Sequence, residues 1–433
     1  MSRISRASCA AGAVTSGDTR TDDGNPLLEN VPPVPTLPEA MRLTERQEQQ
    51  DVTGWNVQEL IAHESADAFV TDATHAGVLV DVVSQVRSSY RDRDLRDCRY
   101  RNHAIEANRL LHSGRPGPSV SIPSRFGVAP MARPRGIVVV APVGTGRRRL
   151  ADMVASALGS EPRVARISAA AGVTEYLQLP VLRIPWPIDG RQAGLAQAFI
   201  GAFDAVFRTS YAIATRTPLF RERDIVPTIC ALAVASSLGL LVVERINMQD
   251  ATNPAAESTW NALGQFTRVT GVPVLCQPTP GAAAAGLTRL PGVAAELTSA
   301  GFAEITPSCN SREKHWIAVC VVLFNRTIRV AGVASMPSWL PDAAYDLTLG
   351  YPGPLARALC AIAQNMVRLN VRVFTLEIFA KYGRLALALD QYHLDAVRII
   401  RQGGTYTPST LMRHGDWLSL HQLASARLMP ELR

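Results

Sequence analysis

The sequence predicts an α/β fold in which a parallel sheet is flanked by helices, with a helical N-terminal extension and a helical C-terminal lid. Two observations predict it. Short apolar, β-branched runs alternate with helical patterns in the middle of the chain, and strand signals fade beyond about residue 311. Strands that alternate with helices in this way are typical of a parallel sheet covered on both faces.

Composition divides the chain into four parts. Residues 1–55 are rich in Ser, Thr, Asp, Pro and Gln, so we predict a disordered arm that cannot bury enough apolar surface to order itself. Residues 56–128 are predicted to form a helical N-terminal segment that ends in a linker rich in Pro and Gly. Residues 129–308 form the predicted α/β core, and residues 309–433 form a mainly helical lid and C-terminal domain.

Four strands are predicted in the core, at residues 137–140, 181–185, 238–244 and 271–277. The first is a run of four β-branched residues, which is typical of a fully buried parallel strand. A glycine-containing turn follows it, and then a helix with Leu150, Val154 and Leu158 on one face and Gly159 at its end. Strand, glycine turn and helix in this order open a phosphate-binding α/β unit.

The overall charge is mildly positive. The 433 residues include 44 Lys+Arg and 37 Asp+Glu, giving a formal net charge of +7, which permits a nucleic-acid partner without demanding one. No apolar run has the roughly 20 residues that a membrane span needs, and we expect a cytoplasmic protein. The seven cysteines have no CxxC spacing and the histidines no HExxH motif, so we expect no metal site.

The turn after the first strand resembles a P-loop in which the reactive positions have changed. The pattern GxxxxGK[ST] cradles phosphates with backbone N–H groups, its Lys reaches the β- and γ-phosphates, and its hydroxyl holds Mg²⁺. Here Arg147 stands in place of the Lys and Arg148 in place of the Ser/Thr, while Ala141 replaces the first Gly. The predicted nucleotide-binding residues are Val143, Gly144, Thr145, Gly146, Arg147 and Arg148.

The third predicted strand ends where an ATPase carries two neighbouring acids. Glu244 stands at the metal-facing position, and Arg245 replaces the carboxylate that would activate water. An arginine cannot accept a proton, so it cannot act as a general base. Efficient hydrolysis is therefore not expected. Three interpretations stay open: the loop only shapes the fold, it binds ATP without Mg²⁺, or it still turns ATP over.

Between about residues 136 and 403 the sequence resembles the TnsC/TniB-type AAA+ ATPases that regulate DNA transposition. The resemblance depends on blocks in the same order: APVGTGRR, YLQLPVLRIPWPIDG, LAQAFIGAFDAVFRTSY, SLGLLVVERIN, GVPVLCQPTP and YDLTLGYPGPLARALCAIAQ. It implies an AAA+ P-loop NTPase fold that binds ATP, assembles on duplex DNA and recruits a transposase. By motif it implies that Thr279 lies at the sensor position after the fourth strand. Arg191, just after the second strand, is a candidate DNA contact.

Three hypotheses follow. In the first, the chain is a DNA- and partner-binding assembly subunit with little or no ATPase activity, working with an intact paralogue or with copies of itself. In the second, it is an ATPase with atypical motifs, in which Arg147 replaces the Lys. In the third, it is a decayed relative without activity.

Overall fold

A five-stranded parallel sheet forms the centre of the part of the chain that the structure describes. This computed structural model describes residues 24–45, 52–112, 122–169, 172–215 and 222–428. The strands of the sheet are β1 (Gly136–Val140), β4 (Val181–Pro185), β5 (Leu240–Ile246), β6 (Val274–Pro278) and β7 (Gly301–Glu304). Their order in space is β4-β5-β6-β1-β7, and all neighbours are parallel. The predicted fold class is confirmed.

The strands separate two apolar cores. Side chains alternate along β1, so Val138 and Val140 join one buried cluster while Ile137 and Val139 join the other. In β5, Leu241 and Val243 face the first cluster in the same way. Because both faces are buried, these strands are almost continuously apolar, which is why they could be recognised in the sequence.

Helices surround the sheet and make up the lid. The arm contributes α1 (Leu37–Glu45), and the N-terminal segment contributes α2 (Val57–Asp67), α3 (Ala73–Asp92) and α4 (Cys98–His112). In the core they are α5 (Arg147–Leu158), α6 (Gln192–Phe207), α7 (Tyr211–Thr215), α8 (Glu222–Ala235), α9 (Met248–Ala251), α10 (Ala256–Thr270), α11 (Pro280–Ala285) and α12 (Pro291–Leu297), with a 3₁₀ turn at Leu287–Arg289. No helix among the described residues has the length and apolar character to cross a bilayer.

The C-terminal part is helical, as expected. Its helices are α13 (Lys314–Arg326), α14 (Leu340–Thr348), α15 (Pro352–Arg368), α16 (Leu376–Ala386), α17 (Gln391–Arg401), α18 (Pro408–Arg413) and α19 (Leu420–Leu428). They enclose two apolar clusters, one around Trp316 and Leu359 and one around Tyr351, Leu394 and Trp417.

The predicted disordered arm is partly ordered. Leu27 and Leu28 are buried, Asn25 donates a hydrogen bond to the backbone oxygen of Tyr90 at 2.9 Å, and α1 follows. The polar average composition of residues 1–55 hides this short apolar segment, which packs on α3. The prediction of disorder is therefore wrong for residues 24–45, and residues 1–23 and 46–51 lie outside the described part.

Three strands were not predicted. The strands β2 (Arg163–Ala169) and β3 (Gly172–Gln178) pair antiparallel as a separate two-stranded sheet, and β7 is a four-residue strand at the edge of the main sheet. Exposed Val164 and Val173 show that the hairpin is not covered on both faces. These strands lack the long apolar runs that identified the central ones.

Candidate functional site

The loop between β1 and α5 has the strand–turn–helix geometry that the sequence predicts. Gly144 and Gly146 have φ angles of +81° and +98°, a region that favours glycine. Both are tightly covered. A Cβ at Gly144 would lie 2.8 Å from Cδ of Pro354 in the lid, and one at Gly146 would lie 2.4 Å from Cε2 of Phe69, between α2 and α3. The loop is therefore packed between the N-terminal segment and the lid.

The two arginines of the loop do not act together. Arg147 extends inward, and its Nη1 donates to the backbone oxygens of Ile246 and Gln277, each at 3.2 Å, at the carboxyl ends of β5 and β6. Burial lowers the pKa of Arg147, and the negative charge of Asp416 opposes that effect. Arg148 is exposed. Only Arg148 thus presents its charge to solvent.

Within the loop, Thr145 is buried and its hydroxyl donates to the backbone oxygen of Pro142 at 2.7 Å. The backbone N–H of Val143 donates to the backbone oxygen of Asp416 at 2.8 Å, and that of Gly353 donates to the oxygen of Gly144, also at 2.8 Å. The loop is therefore bonded to the lid through backbone groups at Val143 and Gly144.

The acidic position at the end of β5 is neutralised by an arginine. Glu244 accepts a hydrogen bond from Nε of Arg183 on β4, and Nη1 of the same Arg183 lies 2.8 Å from Asp152 on α5. Arg245 is exposed and has a φ of +58°, next to an irregularity in the β5–β6 pairing. Sequence reasoning missed Arg183, although a charge inside the apolar run VLRIP requires a partner and could have indicated this ion pair.

The predicted sensor residue, Thr279, contacts a residue from the far end of the chain. Thr279 caps the N-terminus of α11, and its hydroxyl donates to the carboxylate of Asp416, 137 residues away. The N–H of Met248 donates to the same carboxylate at 3.0 Å. Burial raises the pKa of Asp416, while these two hydrogen bonds lower it. No motif marked Asp416, which lies in the turn between α18 and α19.

A cavity of about 200 Å³ lies beside the loop. Its walls come from the α2–α3 connection, the loop itself, and the lid helices α13 and α15. Most of the lining is apolar. Its polar groups include Asp72, His75 and His315, with Nδ1 of His75 2.7 Å from the Asp72 carboxylate. Burial alone would raise the pKa of Asp72, but hydrogen bonds and charge from His75 lower it to about 2.

The residues at this site do not fit a Mg²⁺–ATP complex. The hydroxyl that would hold Mg²⁺ is replaced by exposed Arg148, and the remaining acid, Glu244, is paired with Arg183. Within the described ranges, no group of three or more His, Cys, Asp or Glu side chains is arranged to hold a metal ion. The cavity has room for part of a small molecule, but the loop lacks the groups that bind metal and activate water.

Arg191, the candidate DNA contact, lies outside this cluster. It precedes α6, and its side chain is 73% exposed, with Nε 3.8 Å from a carboxylate oxygen of Asp189. Arg148 and Arg191 are therefore both exposed cations near the carboxyl-terminal edge of the sheet. Arg147 lies at the same edge, but its side chain is turned inward.

No protein-family model and no curated protein matches the sequence. Among solved structures, the chain is similar to the RuvB Holliday junction branch migration motor of Thermotoga maritima, with 13% identity, coverage of 72% of this chain and 80% of that one, and a TM-score of 0.34. It is also similar to the ORC2 protein of Aeropyrum pernix, with 15% identity, coverage of 74% of this chain and 79% of that one, and a TM-score of 0.39. For the ORC1 protein of that organism in complex with DNA, the identity is 14%, the coverage 78% and 83%, and the TM-score 0.38.

At 13–15% identity and TM-scores of 0.34–0.39, these likenesses support no statement about the family, the site residues or the activity of this chain. The more specific resemblance to TnsC/TniB-type transposition proteins stays a prediction.

Proposed function

We propose that this chain is an AAA+-type regulator of DNA transposition that binds duplex DNA and partner proteins without hydrolysing ATP. One observation carries the second half of this proposal: every position that would do chemistry is occupied by an arginine or neutralised by one. Arg147 is bonded to strand ends, Glu244 is paired with Arg183, and Arg245 cannot accept a proton.

The magnitudes support loss of hydrolysis. Arg148 offers no oxygen ligand to Mg²⁺ in place of the hydroxyl, and the carboxylate of Glu244 is already paired with Arg183. Loss of a positioned general base alone lowers a rate by about 10²–10⁴. The two effects act on the same reaction, and together they reduce turnover to near background.

The transposition role is supported by the sequence blocks between about residues 136 and 403, including YLQLPVLRIPWPIDG and DLTLG. We infer that the partners are a transposase, other transposition proteins, and either further copies of this chain or an intact paralogue. DNA binding is supported by the net charge of +7 and by exposed Arg148 and Arg191.

A second candidate, an ATPase with atypical motifs, is favoured by two features: a cavity lies directly beside the loop, and Glu244 keeps an acid near the end of β5. The two candidates differ in turnover. Phosphate release from ATP and Mg²⁺ should be measured on the full chain, with and without duplex DNA, for the wild type and for Glu244→Gln. We expect background rates throughout; DNA-stimulated release that Glu244→Gln abolishes would establish the ATPase instead.

DNA binding is tested separately. We expect the full chain to bind duplex DNA without nucleotide. Arg148→Ala and Arg191→Ala should each weaken binding and reduce the slope of log affinity against log salt concentration by about 1, the change expected for one lost phosphate contact. Arg268→Ala is the matched control, because Arg268 is also an exposed arginine near a carboxylate, that of Glu296 at 2.6 Å, but lies in the last turn of α10, which precedes β6. Equal effects of all three variants, or no binding at all, would count against a DNA-binding surface at this edge.

A further inference from the structure

We propose that Asp416 acts as an internal substitute for a nucleotide phosphate, so that the turn between α18 and α19 closes the loop after β1. The proposal rests on the function proposed above, and it makes the contact between Asp416 and the loop autoinhibitory. An added oxyanion binds the loop only when this turn withdraws. The turn comprises residues 414–418, which the structure describes in full.

The donors that meet at Asp416 come from three separate strand ends. The N–H of Val143 follows β1, the N–H of Met248 follows β5, and the hydroxyl of Thr279 follows β6. The guanidinium of Arg147 adds a positive charge close to the carboxylate. Backbone N–H groups, a hydroxyl and a cation at the carboxyl edge of a parallel sheet form the kind of environment that binds phosphate.

The turn fits closely against the core. A Cβ at Gly415 would lie 3.0 Å from Sδ of Met248 and 3.1 Å from Cα of Gly281 in α11. On its other side, Tyr351 of the lid donates its hydroxyl to the backbone oxygen of Trp417, and the ring of Trp417 stacks on that of His393, with centroids 5.5 Å apart. The turn therefore joins the core to the C-terminal helices.

This arrangement explains how the altered loop is stabilised. Buried donors without acceptors are costly, by about 1–3 kcal/mol each, and a loop without a bound anion still carries its N–H groups. The carboxylate and the backbone oxygen of Asp416 accept hydrogen bonds from Val143, Met248 and Thr279. A phosphate that used the same donors would have to displace Asp416, because the carboxylate and the backbone oxygen of Asp416 already occupy the positions that its oxygens would take.

The inference is tested by binding of inorganic pyrophosphate to the full chain, measured by calorimetry without metal. We expect Asp416→Ala to bind pyrophosphate at least about tenfold more tightly than the wild type, since one competing negative charge is removed. Asp395→Asn is the control, because Asp395 is a partly exposed acid on α17 paired with Arg398. A folded Asp416→Ala variant that binds no better than the wild type and the control would overturn the inference.

A second variant and a second measurement guard against misfolding of the first. Gly415→Val should expel the turn sterically and give the same gain in affinity. In the wild type, saturating pyrophosphate should speed hydrogen exchange in residues 414–418 while protecting the loop. Protection of the loop with unchanged exchange in the turn would contradict displacement. These results are independent of ATP turnover, so ATP hydrolysis by the wild type would refute the proposed function alone.

Discussion

Arg147 and Arg148 are neighbours in the sequence, yet their side chains have different surroundings. Arg147 begins α5 and extends toward the ends of β5 and β6, where it meets backbone oxygens, whereas Arg148 lies in solvent. Successive residues of a helix point about 100° apart, so two adjacent arginines at a helix start cannot both face the same group. The two adjacent arginines therefore differ in role: Arg147 is bonded inside the protein, and Arg148 is a charge exposed to solvent.

Substitution of these arginines should separate their roles. We expect Arg147→Met to lower the free energy of unfolding by about 1–3 kcal/mol, because it leaves the oxygens of Ile246 and Gln277 without this donor. Arg148→Met should change it by no more than about 0.5 kcal/mol, as is usual for an exposed site. Urea unfolding of both variants checks this, and equal losses would mean that Arg147 is not bonded inward in solution.

At this scale the sequence revealed which residue types had changed, but not where their side chains go. Arg147 and Arg245 stand out against a known pattern, so the loss of a lysine and of a proton acceptor could be predicted. The charge inside VLRIP indicates that Arg183 needs a partner, but not that this partner is Glu244, which is 61 residues away and meets it across neighbouring strands. Asp416 was invisible for the same reason, since nothing local distinguishes HGDWL from any polar turn.

Among the elements, the loop after β1 depends on backbone conformation more than on side chains. We expect Gly146→Ala to destabilise the protein by about 1–2 kcal/mol or more, since its φ of +98° is strained for any L-residue and Phe69 occupies the space for a Cβ. Gly201→Ala should instead stabilise by about 0.5–1 kcal/mol, because Gly201 lies within α6 and a Cβ there meets open space.

Thermal or urea unfolding of these two glycine variants provides the measurement, and each is the control for the other. If both destabilise alike, alanine is tolerated poorly for a reason unrelated to the loop. If Gly146→Ala is neutral, the loop adopts another conformation in solution than the left-handed one described here.

Elements buried on both faces were predictable and half-exposed ones were not. β1, β5 and β6 are continuous apolar runs, and their interiors were located to within two or three residues from the sequence. The hairpin of β2 and β3 and the short β7 have exposed positions, such as Val173 and Phe302, so their patterns are weak. Burial on both faces is what leaves a strong signal in the sequence.

Across the whole molecule, the N-terminal segment belongs to two cores. Val82 and Tyr90 of α3 pack in the same cluster as Ile137 of β1, whereas Ile61 of α2 packs with Trp316 and the other lid helices. Composition predicted a single helical segment over residues 56–128. It could not show that the helices of this segment pack in different cores. The connection between α2 and α3, which carries Phe69, lies where the two cores meet, beside the glycine loop.

Buried and partly buried histidines should make the stability of the whole molecule depend on pH. Burial lowers the pKa of four of them: His103, His315, His393 and His414. As the pH falls below about 6.5, the unfolded chain takes up protons that the folded chain does not, so stability rises with pH across this range. The pKa of Asp72 is about 2, below its ordinary value of 3.8, so protonation of Asp72 lowers the stability further at more acid pH.

We therefore expect the free energy of unfolding to be lower at pH 5 than at pH 7.5. Urea unfolding at several pH values, at constant ionic strength, measures this slope. His315→Gln should make the slope shallower, because the variant lacks one group whose pKa is lower in the folded chain than in the unfolded chain. His315 lies in the cavity wall between α3 and the lid, with Asp72 and His75 nearby. A stability that does not change between pH 7.5 and 5 would mean that these histidines are open to solvent, and that the lid does not close on the core as described.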